Sequence, residues 1–579
     1  MLLYLLTLVG LQVQAQSSSQ TVTSPLGPVV NLGYAAFAGN TTSPSGIQDG
    51  PVTFFGNIPY AEAPTGNLRF RAPKALDETP VSRGQLKVED ARNWGPACVQ
   101  QPAVVGIGSE DCLKLNIWKP SNATEDSKLP VVVYIHGGGF VAGSPQGFPL
   151  YDWVAKSAGP IIGVSIAYRM SLLGFLAGSS VSADGDLNAG LLDQRAALEW
   201  VQRHIVKFGG DPENVGIAGE SAGGAAVVMQ MVAFAGQKKV PFRRAMAHSI
   251  GFGPMPNASL IAETFKNVAS AAGCSTTGQS VMECLRGASI GAIVSAINHI
   301  PAGHLSPIVE GPSGFLPDLP SQLLSTGKFA PVEFMGGHCT NDGRTFVGGR
   351  PEQFQTEADV RRLVFSRWPG VSNNTINKAL QLYPSPEEPG SPFTTQYDRA
   401  WTMAQDIIFG CMDWLTADRL TTKGERNVFS FRWNAPDAVL FAANPFQGVM
   451  HTSDLYFLFD GTKYAMAHTV LSLSTECRDS SGPNALSTFT PFNASEATLS
   501  NEAIAYWTSF TSSGDPSTQR GPSRITWNRF NGKGGASARI VPTRGDSSLT
   551  ATKMEKYPAA EIQRCRFWMG ADVVSETRV

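Results

Sequence analysis

Residues 214–231 read Asn-Val-Gly-Ile-Ala-Gly-Glu-Ser-Ala-Gly-Gly-Ala-Ala-Val-Val-Met-Gln-Met. Asn214 to Ala218 is short and β-leaning, and Gly209-Gly210-Asp211-Pro212 bounds it upstream. Gly224 to Met231 reads as a buried helix. Between them stands Gly219-Glu220-Ser221-Ala222-Gly223, a G-x-S-x-G turn. Strand, tight turn and helix form the context in which this pentapeptide holds a serine hydroxyl clear of a sheet. Gly219 and Gly223 flank Ser221 because a Cβ at either would collide with the neighbouring strand or helix. The helix aims its N-terminal amides and positive dipole end at the place where an oxyanion would form. The bland alternative is a Gly-rich turn with an incidental serine, since a five-residue match is short.

A second stretch weighs against that alternative. Leu129-Pro130-Val131-Val132-Val133-Tyr134-Ile135 is a β-branched run of the buried-strand type. It stops at His136-Gly137-Gly138-Gly139-Phe140, an HGGG-type loop whose backbone N–H groups complete an oxyanion hole. Consecutive glycines let main chain approach a substrate carbonyl with no side chain in the way. A phosphate-cradling loop is the other reading, but the chain has no G-x-x-x-x-G-K-[ST]. The two motifs lie about 80 residues apart and in this order they point to acyl transfer by a serine nucleophile.

The rest of the chain narrows the class. Its 579 residues can bury a large core, and no low-complexity linker, long charge run or internal repeat divides them. The net charge is −2 with basic residues scattered, which argues against a nucleic-acid partner. Charged residues make up 16%, against a usual share of roughly 25%, as suits a large well-buried enzyme. Leu2 to Leu11 is almost wholly apolar, and Val13-Gln14-Ala15 reads as a cleavage site. A signal peptide over 1–15 and secretion are therefore expected, with a single domain over 16–579. Gln12, Gln14 and Gln16 end the apolar run short of the ~20 residues of a membrane span, so no stable membrane anchor is expected. Sequons at Asn40, Asn122, Asn257, Asn373 and Asn493 fit export. Eight cysteines without a C-x-x-C metal or redox pattern suit disulfides, and nothing calls for a metal or cofactor. Arg544-Gly545-Asp546 resembles an adhesion tripeptide and is read as coincidence.

A serine hydroxyl needs a base, usually a histidine held by a carboxylate. Six histidines follow Ser221: His248, His299, His304, His338, His451 and His468. Spacing does not choose among them.

From about residue 27 to about 570 the chain resembles the type-B carboxylesterase/lipase family, the cholinesterase-like α/β-hydrolases. The resemblance rests on Phe55 to Ala61 with Pro64 to Phe70, on Ser109-Glu110-Asp111-Cys112-Leu113-Lys114-Leu115-Asn116-Ile117-Trp118, on Tyr168-Arg169, Gly174-Phe175-Leu176, and on Asn188 to Trp200. It implies an α/β-hydrolase fold, a large, mostly parallel sheet flanked by helices, and a Ser-His-acid triad. Gly448-Val449-Met450-His451-Thr452-Ser453-Asp454 matches the family's histidine segment, so His451 is the expected base. Asn341-Asp342-Gly343 matches the acid segment, with Asp342 where most members carry the longer Glu. The resemblance assigns the oxyanion donors to Gly138, Gly139 and Ala222, and supporting roles to Glu220, Ser249 and Asp454. It implies disulfides Cys98–Cys112, Cys274–Cys284 and Cys411–Cys565, leaving Cys339 and Cys477 without partners.

The loop between Cys98 and Cys112 holds thirteen residues and no aromatic. It is short for an interfacial lid and offers no ring to face a quaternary ammonium, which argues against choline esters. Phe140 and Phe252 are candidate pocket walls. The expected function is a secreted serine carboxylesterase on small-molecule or lipid esters. The alternatives are a lipase on longer-chain acylglycerols, an acyl transferase or specialised-metabolite esterase, and a non-catalytic binding protein on the same fold.

Overall fold

The computed structural model describes residues 22–42, 48–82, 84, 86–277, 280–459, 492–519, 524–532 and 538–579. The expected leader, His468 and Cys477 lie outside them. The described strands are β1 (Val29–Asn31), β2 (Ala36–Ala38), β3 (Val52–Pro59), β4 (Val88–Asp90), β5 (Lys114–Pro120), β6 (Leu129–Ile135), β7 (Ile162–Ile166), β8 (Gly210–Glu220), β9 (Arg244–His248), β10 (Glu333–Cys339), β11 (Val428–Trp433), β12 (Ala538–Val541) and β13 (Lys553–Lys556). Strands β1, β2 and β4 form a small sheet; the other ten form one sheet in the order β3-β5-β7-β6-β8-β9-β10-β11-β12-β13. From β7 to β12 neighbouring strands run parallel, and antiparallel pairs close both edges.

The β-branched run expected at 129–135 is β6, near the centre of this sheet. Its side chains alternate between two cores, as a period of two requires. Val131, Val133 and Ile135 pack in one cluster with Ala225 to Val232 of the helix Ala222–Val232. Val132 and Tyr134 pack in the other with Leu499, Ile504 and Trp507 of the helix Ala494–Ser513. A parallel sheet covered on both faces needs strands that are apolar on both, and β7, β9 and β10 are buried throughout. The segment that begins at Asn188 forms an α-helix, Ala189–His204, followed by a 3₁₀ turn, Ile205–Phe208.

Several residues that carried the family resemblance act as braces. Arg169 makes a buried fork with Asp193 at 2.7 and 2.6 Å. Arg69 does the same with Glu110 at 2.6 and 2.7 Å, beside the Cys98–Cys112 disulfide. Tyr168 stacks on His136, with ring centroids 4.5 Å apart, and donates its hydroxyl to the His136 carbonyl at 2.9 Å. The glycine loop after β6 is thereby held from below. Disulfides Cys98–Cys112, Cys274–Cys284 and Cys411–Cys565 are all formed, and Cys339 is a buried free thiol.

Candidate active site

The functional segments leave the C-terminal ends of successive parallel strands, where open α/β sheets place their ligands. Ser221 follows β8, Ser249 follows β9, Asp342 lies three residues past β10, and His451 lies in the excursion after β11. The His136–Phe140 loop follows β6 directly.

Ser221 sits at φ 59°, ψ −123°. A non-glycine residue in this region costs about 1–3 kcal/mol, which the surrounding turn must over-determine. The turn does so: the Ser221 amide donates to the His248 carbonyl at 3.0 Å, and its carbonyl accepts from Ala225 and Gly251. A Cβ at Gly219 would overlap the Gly223 backbone, and one at Gly223 would overlap the Ile135 carbonyl oxygen. The two glycines are there for the collision that the sequence implies.

His451 Nδ1 is bonded to Asp342 Oδ1 at 2.9 Å. The other oxygen of Asp342 accepts from Ser249 Oγ and from the Cys339 amide, both at 2.9 Å. The shorter acid reaches the ring because its loop is drawn against the histidine loop. The Asn341 amide donates to the Val449 carbonyl at 2.9 Å, the Val449 amide donates to Asn341 Oδ1 at 3.0 Å, and the His451 amide donates to Thr345 Oγ1 at 3.3 Å. Phe346 packs edge-on against the imidazole at 5.1 Å and Phe409 lies tilted over it at 4.8 Å. Phe409 comes from a π-helical turn, Asp406–Gly410, a local irregularity of the kind found at functional sites.

The other ring nitrogen, His451 Nε2, stands 3.2 Å from Glu220 Oε1. The two are not aligned as a hydrogen bond, and both atoms are buried without a hydrogen-bond partner. Burial pushes the Glu220 carboxyl up, with His451 opposing and the charges of Asp454 and Asp342 adding to the rise. For His451, burial acts downward, but the carboxylates of Glu220 and Asp342 outweigh it and the imidazole is raised. The carboxyl and the imidazole thus bias each other's protonation beside Ser221.

Ala222 is the first residue of its helix, so its N–H has no intrahelical acceptor. Among the described residues, the loop hydrogen bonds use the Gly138 carbonyl and give the Gly138 and Gly139 amides no backbone acceptor. These are three orphan donors of the kind an oxyanion hole presents. Asp454 accepts not from His451 but from His248 Nδ1 at 2.7 Å and from the Cys339 thiol at 3.6 Å. Phe140 packs edge-on against Phe175, and Phe252 is buried beside the π turn, its amide donating to the Ile408 carbonyl.

Sequence reasoning did not single out His248, Thr345, Phe346 or Phe409. His248 was one histidine among six. The aromatic pair had no local signal, because Phe409 reaches the ring through a helix irregularity that apolar periodicity does not reveal.

A ten-stranded, mostly parallel sheet with a serine at a strand–turn–helix apex is an α/β-hydrolase. The chain belongs to the carboxylesterase family, whose model matches residues 27–561. It is 31% identical over 470 residues to Lipase 2 of Geotrichum candidum, which spans 72% of this chain and 82% of the relative. Secreted lipase 4 of Gibberella zeae is 27% identical over 589 residues, 97% of either chain. The crystal structure of Aspergillus niger EstA superposes with a TM-score of 0.79 at 29% identity, covering 96% of this chain and 99% of that one. The protein is a carboxylic ester hydrolase. Among the described residues no single helix is long and apolar enough to cross a membrane.

Proposed function

We propose that this protein is a secreted serine carboxylesterase working through an acyl-enzyme on Ser221. The observation that carries the reading is the His451 ring. Asp342 holds its Nδ1, while Nε2 is buried, without a hydrogen-bond partner and beside the elbow. In that arrangement Nε2 takes the Ser221 proton as Oγ attacks the ester carbonyl. The amides of Gly138, Gly139 and Ala222 receive the oxyanion. His451 returns the proton to the leaving alcohol, then draws a proton from water, which releases the acid and restores Ser221. Asp342 fixes the tautomer and stabilises the imidazolium; Glu220 is the nearest anion to it.

The short loop between Cys98 and Cys112 favours soluble or modest-chain esters. A second reading, lipase action on longer acylglycerols, is favoured by the relatives' names, which include Lipase 2 and a secreted triacylglycerol lipase of Gibberella zeae. Export is supported by the leader at 1–15, by relatives named as secreted, and by exposed sequons at Asn122, Asn257, Asn373 and Asn493; Asn40 is half-buried.

The test is p-nitrophenyl butyrate hydrolysis by wild type and Ser221→Ala side by side. The expected result is turnover lost by several orders of magnitude in the variant, since removing a triad member leaves only about 10³–10⁴ over water. Equal turnover by both would sink the nucleophile assignment. A rate that jumps above the solubility limit of a triglyceride selects the lipase reading.

A further inference from the structure

The end of β9 touches all three of the segments just described. The His248 carbonyl receives the Ser221 amide at 3.0 Å. The next residue, Ser249, donates its hydroxyl to Asp342 at 2.9 Å and its amide to the Gly337 carbonyl at 2.6 Å. The His248 side chain reaches the third segment: its Nδ1 lies 2.7 Å from Asp454 Oδ2, and Asp454 sits three residues after His451 on the short helix Ser453–Leu458. The imidazole is 2% exposed. Its orientation is settled from the far side, where Trp507 Nε1 lies 2.7 Å from Nε2. An indole N–H only donates, so Nε2 accepts and Nδ1 carries the proton that goes to Asp454.

We infer that His248 is a positioning residue for ester hydrolysis, which ties the nucleophile's elbow to the base's loop through its Nδ1–H bond to Asp454. The inference rests on the reading of Ser221, His451 and Asp342 given above. The elbow and the base loop belong to segments joined by no chain shorter than two hundred residues; the His248–Asp454 bond itself spans 206. Asp454 is further held by the Cys339 thiol, and the Cys339 amide holds Asp342. The acid loop, the base loop and the elbow thus share one buried polar junction with His248 at its centre. Buried networks of this kind fix one arrangement when every member is satisfied. A displacement of about 1 Å in such a support can cost on the order of 10² in rate.

Two substitutions separate the two bonds of the ring. His248→Asn keeps a donor at the position of Nδ1 and loses the acceptor facing Trp507. His248→Gln keeps an acceptor near the position of Nε2 and loses the donor to Asp454. Each is assayed for kcat and KM on p-nitrophenyl butyrate, with thermal unfolding as the check on folding, and Ser221→Ala as the control. The expected result is kcat reduced roughly 10- to 100-fold in His248→Gln with KM within about threefold, and kcat within about threefold of wild type in His248→Asn. Trp507→Phe removes the indole donor while leaving the Asp454 bond, and is expected to keep kcat; if His248→Gln does not fold, Asp454→Ala, which removes the acceptor of the same bond, takes its place and is expected to show the same loss of kcat. Equal losses in the Asn and Gln variants, no loss in either, or a loss in Trp507→Phe as large as that in His248→Gln overturns the inference. Absence of turnover by wild type, or its persistence in Ser221→Ala, is a failure of the serine-esterase reading and is seen separately.

Discussion

A single carboxylate separates two protonation behaviours at His451. Burial lowers the imidazole, while Glu220 and Asp342 raise it beyond that, above its ordinary 6.5. A base must be neutral to act, so the rising limb of the kcat/KM profile is expected above pH 6.5 in wild type. A neighbouring anion favours the protonated ring, so Glu220→Gln removes support for that form and moves the limb to lower pH. A pH–rate profile of the two proteins checks it; an unmoved or upward-moved limb contradicts the pairing. Asp342→Asn places an amide where the Nδ1–H needs an acceptor, and the tautomer can invert. We expect kcat to fall by up to about 10⁴, with the fold intact by circular dichroism. At this scale the sequence was informative where chemistry and backbone demand coincide. Ser221 stood out because its turn needs both glycines. His451 and Asp342 stood out only through family likeness, since neither neighbourhood carries a conformational demand visible in one chain. Why an Asp suffices was not legible: the answer lies in the Asn341–Val449 bonds between loops about a hundred residues apart.

At the scale of elements, strand-to-helix packing at the elbow leaves no room for a methyl group. In Gly223→Ala the new Cβ meets the Ile135 carbonyl oxygen, which belongs to the central strand β6 and cannot give way. The variant is expected to lose both thermal stability and activity. Gly291 lies exposed in the helix Ile290–His299, and a Cβ there meets only Ser289 Oγ at 3.8 Å. Gly291→Ala is expected to gain roughly 0.5–1 kcal/mol by removing backbone freedom from the unfolded chain. Thermal unfolding of the pair measures both, and a tolerated Gly223→Ala would contradict the packing described. The central strands and the elbow helix were readable because a buried parallel sheet writes itself as apolar runs. The last two strands of the sheet, β12 and the edge strand β13, were not: they are short, and β13 is half-exposed and mostly charged, so no apolar pattern marks it.

Across the whole molecule, the Cys411–Cys565 disulfide closes a separation of 154 residues, against 10 for Cys274–Cys284. It pins the helix Cys411–Thr422, just beyond the π turn that carries Phe409, to the helix Ala559–Trp568 near the end of the chain. On the chain-entropy account the long loop is worth about 5 kcal/mol and the short one roughly 3. Replacing Cys411 and Cys565 by serine is therefore expected to lower the thermal midpoint more than replacing Cys274 and Cys284; the reverse order would count against the entropic account. The bonds that assemble the site span 93, 109 and 206 residues. Time enters here. Contacts so distant along the chain carry a large loop-closure cost and are expected to form late. A partly folded chain in which these bonds have not formed holds its serine, histidine and aspartate apart and is expected to be inactive. Refolding followed by ester hydrolysis should show activity returning only with the slowest structural phase.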